Sequence, residues 1–200
     1  MYNQSDNMSI SNPENILNVS TRQEFRAWLE EHASSESECW VESKRGKPKD
    51  DGQLYYLDVV EEALCFGWID STFKKIDGRS LQRFSPRKKG GCWTELNKER
   101  VRRLEKLGLM TDLGRATLPD MSVDSFKIDP QIEAALKQAR VYSKFKKFPP
   151  LYQRIRAYNI EFYKKKDKAA CDRMLTRLIE ETKAGNMYGE WNDYGRLLDY

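Results

Sequence analysis

The sequence has few of the residues on which most catalytic and metal sites depend. Its 200 residues include one histidine, His32, and four scattered cysteines without a CxxC pair, which are Cys39, Cys65, Cys92 and Cys171. Zinc sites and disulfide frameworks favour clustered spacings, so reduced thiols in a cytoplasm are predicted instead. A Cys–His or Ser–His catalytic pair would have to recruit His32. We therefore predict no metal site and no catalytic residue set.

Long apolar runs and nucleotide-binding motifs are also missing. No run of about 18 apolar residues occurs, so no membrane-spanning helix is predicted. The N-terminus, MYNQSDNMSISNPEN, has no basic region followed by an apolar one and does not resemble a secretion signal. KKGGCWT has adjacent glycines, but neither GxxxxGK[ST] nor GxGxxG occurs. We expect a cytoplasmic protein without a bound cofactor.

Charge is abundant but unevenly placed. Charged residues make up 33% of the chain and the net charge is +4. Residues 79–106 hold ten basic and three acidic side chains, a local charge of +7. Such a segment favours an anionic partner, although a solvated helix face has the same composition.

Apolar periodicity and capping residues predict several helices. Thr21 and Glu24 form a capping box, and the stripe from Tyr56 to Leu64 ends before Gly67. Thr94, Asp129 and Asp167 are predicted N-caps of later helices. The aromatic ending, MYGEWNDYGRLLDY, is expected to fold back onto the body.

Two strands joined by Asp77-Gly78 predict a β-hairpin over about residues 68–84. We therefore predict an α+β fold, with a small antiparallel sheet packed by helices and a helical C-terminal part. The predicted divisions are a disordered tail over 1–19, an α+β core over 20–125, and a helical part over 126–200 packed on the core.

Strict alternation along this hairpin assigns its side chains to two faces. A two-residue turn places Ile76 opposite Arg79 and Thr72 opposite Arg83. Ile69, Phe73 and Phe84 then share a core face. The other face carries Trp68, Asp70 and Lys74 with Arg83, and Asp70 and Arg83 are diagonal neighbours able to pair. This face is either an ordinary solvated surface or the floor of a site for an anionic ligand, with Arg83 and Arg87 as donors.

Several sequence blocks resemble the YdeI/OmpD-associated family of bacterial proteins, also described as bacteriocin-protection proteins. The similarity covers roughly residues 21–118 and lies in four blocks, which are Ala63–Asp70, Arg83–Arg87, Trp93–Asn97 and Gly108–Gly114. The C-terminal part departs from many members, with YNIEFYKKKDK where they carry a tryptophan-containing segment. The resemblance implies a role in tolerance of antimicrobial peptides or bacteriocins, or in the stress response, and it transfers no catalytic residue.

The hairpin faces and the family blocks together give one set of candidate ligand-binding residues, namely Trp68, Asp70, Lys74, Arg83, Arg87, Trp93 and Asn97. The predicted function is binding of an unknown protein partner or an anionic small molecule. A net positive chain is poorly suited to sequester cationic peptides directly. Two alternatives remain: an enzyme using Asp70 as acid/base with Arg83 or Arg87 as anchors, and nucleic-acid binding, which is not favoured because no RNP, KH or helix-turn-helix signature is present.

Overall fold

A computed structural model of the protein describes residues 13–198 and 200. Within them lie eight α-helices, a three-stranded antiparallel sheet and a short 3-10 turn, which confirms the predicted α+β fold. The strands are β1 (Cys39–Glu42), β2 (Trp68–Ile76) and β3 (Arg79–Pro86). The helices are α1 (Arg22–His32), α2 (Tyr56–Cys65), α3 (Glu95–Lys106), α4 (Asp112–Arg115), α5 (Pro130–Gln138), α6 (Tyr142–Phe145), α7 (Pro150–Tyr163) and α8 (Lys168–Ala184); the 3-10 turn is Asp193–Gly195.

The chain divides into two compact units. The first comprises residues up to Lys88 together with Thr111–Thr117, and the second comprises Lys89–Met110 and Leu118–Tyr200. This division differs from the predicted boundary near residue 125. The physical reason is that α3 packs on α7 through a buried ion pair between Glu99 and Arg154, at 2.9 Å.

In the first unit the sheet has the order β1-β3-β2. The predicted two-residue turn is confirmed, with Ile76 opposite Arg79. A β-bulge between Asp70 and Phe73 then shifts the register by one residue, so that Asp70 lies opposite Phe84. Thr72, predicted opposite Arg83, lies within this bulge. The predicted faces are wrong from Asp70 back to Trp68, because an extra residue in one strand exchanges the faces of every side chain beyond it.

The bulge also reassigns the predicted core face. Phe84 is fully buried, as predicted, and it packs 5.9 Å from Phe25 of α1. Trp68, predicted on the polar face, is 1% exposed and packs edge-on against Trp28. Phe73, predicted in the core, is 48% exposed, because it lies on an edge strand near the hairpin turn.

Helix α2 lies at the centre of the first unit, and all of its residues from Leu57 to Cys65 are buried. The chain reverses after it at Gly67, which has a φ of +73°. A side chain at Gly67 would lie 2.7 Å from Cγ2 of Thr117 and 3.0 Å from the carbonyl oxygen of Leu113. Glycine is thus required there by conformation and by space.

The predicted N-terminal tail, residues 1–19, falls largely on residues 1–12, which lie outside the described residues. Its last part is placed against the sheet, where Ile16 forms a parallel bridge with Trp40. Leu17 is buried, so its apolar side chain accounts for this attachment.

The second unit is helical. Its core includes Ile132, Leu136, Phe145, Tyr152 and Ile155. The predicted caps Thr94, Asp129 and Asp167 each accept hydrogen bonds from the first turn of their helices. The aromatic ending packs as predicted, with Trp191 7% exposed and its ring 5.6 Å from that of Tyr152.

Candidate functional site

A group of five side chains in the first unit forms the candidate site, which we call the Tyr56 cluster; its members are Arg45, Tyr56, Asp70, Phe73 and Gln82. Arg45 lies in the loop that follows β1, and Tyr56 is the first residue of α2. Asp70 and Phe73 flank the bulge of β2, and Gln82 lies opposite Phe73 on β3. The bulge therefore brings Asp70 to the same sheet face as Gln82.

Tyr56 connects a cation and an anion in this cluster. Its hydroxyl donates to Oδ2 of Asp70 at 2.6 Å. The guanidinium of Arg45 lies over its ring, 3.7 Å from the centroid, and 5.3 Å from the ring of Phe73. Stacking of this kind holds the planar guanidinium in one orientation.

Gln82 fixes the position of Arg45. It is 3% exposed, and its Oε1 accepts from Nη2 of Arg45 at 2.8 Å. Its Nε2 donates to the carbonyl oxygen of Thr72, within the bulge, at 3.1 Å. Both ends of this buried amide are therefore used, and the bulge carbonyl orients the amide that in turn holds Arg45.

Arg45 retains hydrogen-bonding capacity. The residue is exposed, and an arginine has five N–H donors, of which one is used by Gln82. Across residues 13–198 and 200, no carboxylate forms an ion pair with it. The cluster can thus present a planar, stacked guanidinium to a carboxylate or phosphate group.

The structure separates Asp70 from Arg83. Asp70 faces α2 and binds Tyr56, whereas Arg83 lies on the opposite face, where its Nε donates to Oε2 of Glu38 at 2.7 Å. The predicted Asp70–Arg83 pair is therefore wrong, because the bulge places the side chain of Asp70 on the other face of the sheet.

Arg83 and Lys74 remain on the face predicted for them. Nζ of Lys74 lies 5.7 Å from the ring of Trp40, and Glu38 accepts from both Arg83 and Trp40. Burial disfavours the charged form of Glu38, but these hydrogen bonds outweigh burial and lower the pKa of Glu38. This face therefore carries the ion pair between Arg83 and Glu38, beside the buried side chain of Trp40.

The other predicted site residues make contacts that stabilise the fold. Trp68 donates from Nε1 to the carbonyl oxygen of Ala33 at 3.1 Å and is buried. Arg87 is half-buried, and its backbone N–H donates to Gly67 at 2.9 Å.

Trp93 and Asn97 belong to the second unit, and both are 7% exposed. Oδ1 of Asn97 accepts from Nη1 of Arg100 at 2.8 Å. Of the seven predicted residues, only Asp70 belongs to the Tyr56 cluster.

Ion pairs reduce the free positive charge of residues 79–106. At least five of the ten basic side chains are within 4 Å of a carboxylate of the described residues: Arg79 with Glu42, Arg83 with Glu38, Lys98 with Glu95, Arg100 with Asp193, and Arg102 with Glu99. The segment therefore offers less free charge for phosphate contacts than its composition indicates.

The sequence analysis missed a buried ionic network between α1 and α2. Arg22 contacts Asp58 at 3.4 Å, Glu61 at 2.8 Å and Glu62 at 2.5 Å, and Arg26 contacts Glu62 at 2.8 Å. The charges of Glu62 and Glu61 raise the pKa of Arg22, although burial alone would lower it. Arginines four apart on α1 and acids at i, i+3 and i+4 on α2 were the available signal.

The thiols and the histidine do not form a catalytic pair. Burial, together with the charge of Glu62, raises the pKa of Cys65 to about 12, and burial also raises the pKa of Cys39. His32 packs beside Trp28, with ring centroids 5.1 Å apart. In the part of the chain that is described, no group of three or more His, Cys, Asp or Glu residues could hold a metal ion.

Comparison with known proteins gives one match. The model of a family described as a domain of unknown function (DUF8412) matches residues 17–117. No curated protein and no solved structure matches the chain. Among the helices formed by residues 13–198, none has the length and hydropathy needed to cross a bilayer.

Proposed function

Because the chain belongs to the DUF8412 family, whose function is unknown, we propose a function from the geometry: it is a non-enzymatic binding protein that holds an anionic group of a ligand or partner at the Tyr56 cluster. One observation carries this proposal. Arg45 is stacked on Tyr56, held by the buried Gln82, and exposed, without an ion pair among the described residues.

We place this binding in the cytoplasm of a bacterium, in tolerance of antimicrobial peptides or bacteriocins or in the stress response. The support is the resemblance of four sequence blocks to the YdeI/OmpD-associated family, together with four cysteines that are all free thiols. Direct capture of cationic peptides is disfavoured by the net charge of +4, so the binding partner is expected to be anionic.

The enzyme alternative has less support than binding. It required Asp70 as acid/base with Arg83 or Arg87 as anchor. Asp70 and Arg83 lie on opposite faces of the sheet, and Arg87 follows the end of β3, outside the Tyr56 cluster. The nucleic-acid-binding alternative is weakened because at least five basic side chains of residues 79–106 are paired with carboxylates.

Titration with inorganic phosphate, followed by NMR of the arginine side chains, tests the proposed site. We expect saturable shifts at Arg45 and at least a tenfold loss of affinity in Arg45→Ala, because a bidentate guanidinium contact is removed. Arg79→Ala is the matched control, since Arg79 is also exposed but is paired with Glu42 at 2.8 Å. Equal losses in both variants, or no saturable shift at Arg45, would refute the site.

Survival of cells exposed to a cationic antimicrobial peptide tests the biological role. Deletion of the gene should lower survival, and the wild-type chain or the Arg79→Ala variant should restore it. The Arg45→Ala variant should restore it less well. Unchanged survival after deletion would contradict the proposed role without bearing on phosphate binding in the purified protein.

A further inference from the structure

A cavity in the second unit is formed by three segments of the chain. Its volume is about 260 Å³, and it is lined by the loop before α5, by Lys146 after α6, and by the first turns of α7. This volume is slightly below the range of about 300–1,000 Å³ that is usual for drug-sized ligands, so the cavity suits a smaller molecule. The cavity and the Tyr56 cluster have no residue in common.

The first wall of the cavity is a long loop that is fixed in position. Residues 116–129 connect α4 to α5 without helix or strand, and connections longer than about 12 residues of this kind are often functional. Arg102 of α3 donates from Nε and Nη2 to the carbonyl oxygen of Met121, at 3.2 and 2.9 Å. The N–H of Phe126 donates to the carbonyl oxygen of Val123 at 3.2 Å. These bonds hold the part of the loop that lines the cavity.

The second wall is one face of α7. Pro150, Gln153 and Arg154 share this face, because they are spaced at i, i+3 and i+4. Gln153 is 6% exposed, and its Nε2 donates to the carbonyl oxygens of Phe148 at 2.7 Å and Lys146 at 3.3 Å. The buried amide therefore holds the turn that carries Lys146 against α7.

Arg154 is fixed by groups outside the cavity. It is 9% exposed, and its guanidinium lies 2.9 Å from Glu99 and 3.3 Å from Glu95. Its charge is therefore balanced by two carboxylates that do not line the cavity. Because the lining is held in place on both walls, a ligand that enters loses little binding free energy to ordering of the protein.

Two lysines give the cavity an excess of positive charge. Lys127 and Lys146 are exposed, and neither lies within 4 Å of a carboxylate in residues 13–198 and 200. Asp124 is the one acidic residue among those that line the cavity. With Arg154 balanced, the two lysines and one aspartate leave a charge of +1. This charge favours a monoanion, since Asp124 would repel a second negative charge.

Four of the lining residues are apolar. They are Val123, Phe126, Ile128 and Pro150. Val123 is 41% exposed, so a ligand with hydrocarbon or ring surface would remove apolar area from water here. A molecule that combines an apolar body with one negative group therefore matches both the shape and the charge of the cavity.

We propose that this cavity binds a small monocarboxylate with an apolar body, of which an aromatic acid is the simplest example. The carboxylate pairs with the ammonium groups of Lys127 and Lys146, and the body packs on Phe126 and Pro150. This site goes beyond anion binding at the Tyr56 cluster, because it belongs to the other unit and selects for an apolar body as well as for charge.

NMR titration of the full chain with benzoate tests the proposal. The backbone amides of Phe126 and Gln153 should shift saturably. Benzamide is the matched neutral ligand, and it should bind about tenfold more weakly because it pairs with neither lysine. Acetate keeps the charge but lacks the ring, and it should bind at least about tenfold more weakly because little apolar surface is buried.

Lysine variants test the protein side, and they leave the core intact because the side chains are exposed. Lys127→Met and Lys146→Met should each weaken benzoate binding about threefold. Lys147→Met is the matched control, since Lys147 is also exposed but does not line the cavity, and it should bind benzoate normally.

Three results would overturn the proposal. The first is equal binding of benzoate and benzamide, and the second is an equal loss of affinity in Lys146→Met and Lys147→Met. The third is a set of benzoate shifts confined to the first unit, which would leave the cavity without a ligand while supporting anion binding at the Tyr56 cluster.

Discussion

The two units both bury arginine–carboxylate pairs between helices, but they distribute the charges differently. In the first unit, three acids of α2 meet two arginines of α1, and Glu61 forms an ion pair with Arg22 at 2.8 Å. In the second unit, Glu99 of α3 is contacted by Arg154, Arg102 and the hydroxyl of Tyr200. In the second network each carboxylate has more than one cationic partner, whereas the first network has more carboxylates than arginines.

This difference predicts that the loss of stability on removing one arginine depends on how many other partners its carboxylates have. A buried carboxylate that loses one of several partners stays hydrogen-bonded, whereas one that loses its main cation carries the full cost of desolvation. The first unit should therefore be the more sensitive to loss of a single arginine.

Loss of Arg22 is expected to have the largest effect. Arg22→Met leaves Glu61 and Glu62 buried with fewer cations and should reduce the free energy of unfolding by about 3–5 kcal/mol. Arg154→Met should cost less, about 2 kcal/mol, because Glu95 keeps Lys98 and Glu99 keeps Arg102. Urea denaturation of each variant measures both values. A larger loss for Arg154→Met would reverse the comparison.

The glycines that end helices in the two units should respond unequally to alanine. Gly67→Ala should cost about 2–4 kcal/mol, because a positive φ is combined with contacts of 2.7 and 3.0 Å. Gly185 also has a positive φ, of +83°, but its nearest neighbour would be the flexible Lys144 at 3.4 Å. Gly185→Ala should therefore cost only about 1–2 kcal/mol. Equal shifts in thermal midpoint would show that space at Gly67 is not limiting.

Thiol labelling should separate the units without altering their stability. Both cysteines of the first unit, Cys39 and Cys65, are buried, and burial raises the pKa of each thiol. Cys92 is exposed and Cys171 is partly exposed. At neutral pH a disulfide reagent should modify Cys92 first and Cys171 more slowly.

Cys39 and Cys65 should react only after unfolding, because a raised pKa leaves little thiolate until the pH approaches it. Mass spectrometry of labelled peptides identifies the modified residues, and urea-unfolded protein is the control. Rapid native labelling of Cys65 would contradict its burial.

Much of the fold was predictable, whereas little of the candidate site was. The capping box at Thr21, the hairpin turn at Asp77 and the helix caps Thr94 and Asp167 were all found from the sequence. Of the Tyr56 cluster, only Asp70 was predicted as a site residue. Arg45 lies in a loop without periodicity, and nothing local indicates that its guanidinium stacks on Tyr56.

The bulge explains most of the errors. Alternation along β2 predicts the face of each side chain only while the register holds, and one extra residue exchanges the faces beyond it. Trp68 and Asp70 consequently lie on the side of α1 and α2, and Asp70 cannot reach Arg83.

The amino-acid sequence alone determined where the capped helices begin, where the hairpin turns, and that the fold is α+β, because capping groups and glycines act on their immediate neighbours. The tertiary structure alone decided which face Asp70 occupies, which cation meets Glu61, and which segment forms a bridge with Trp40. These depend on contacts between segments distant in sequence, which no local pattern encodes.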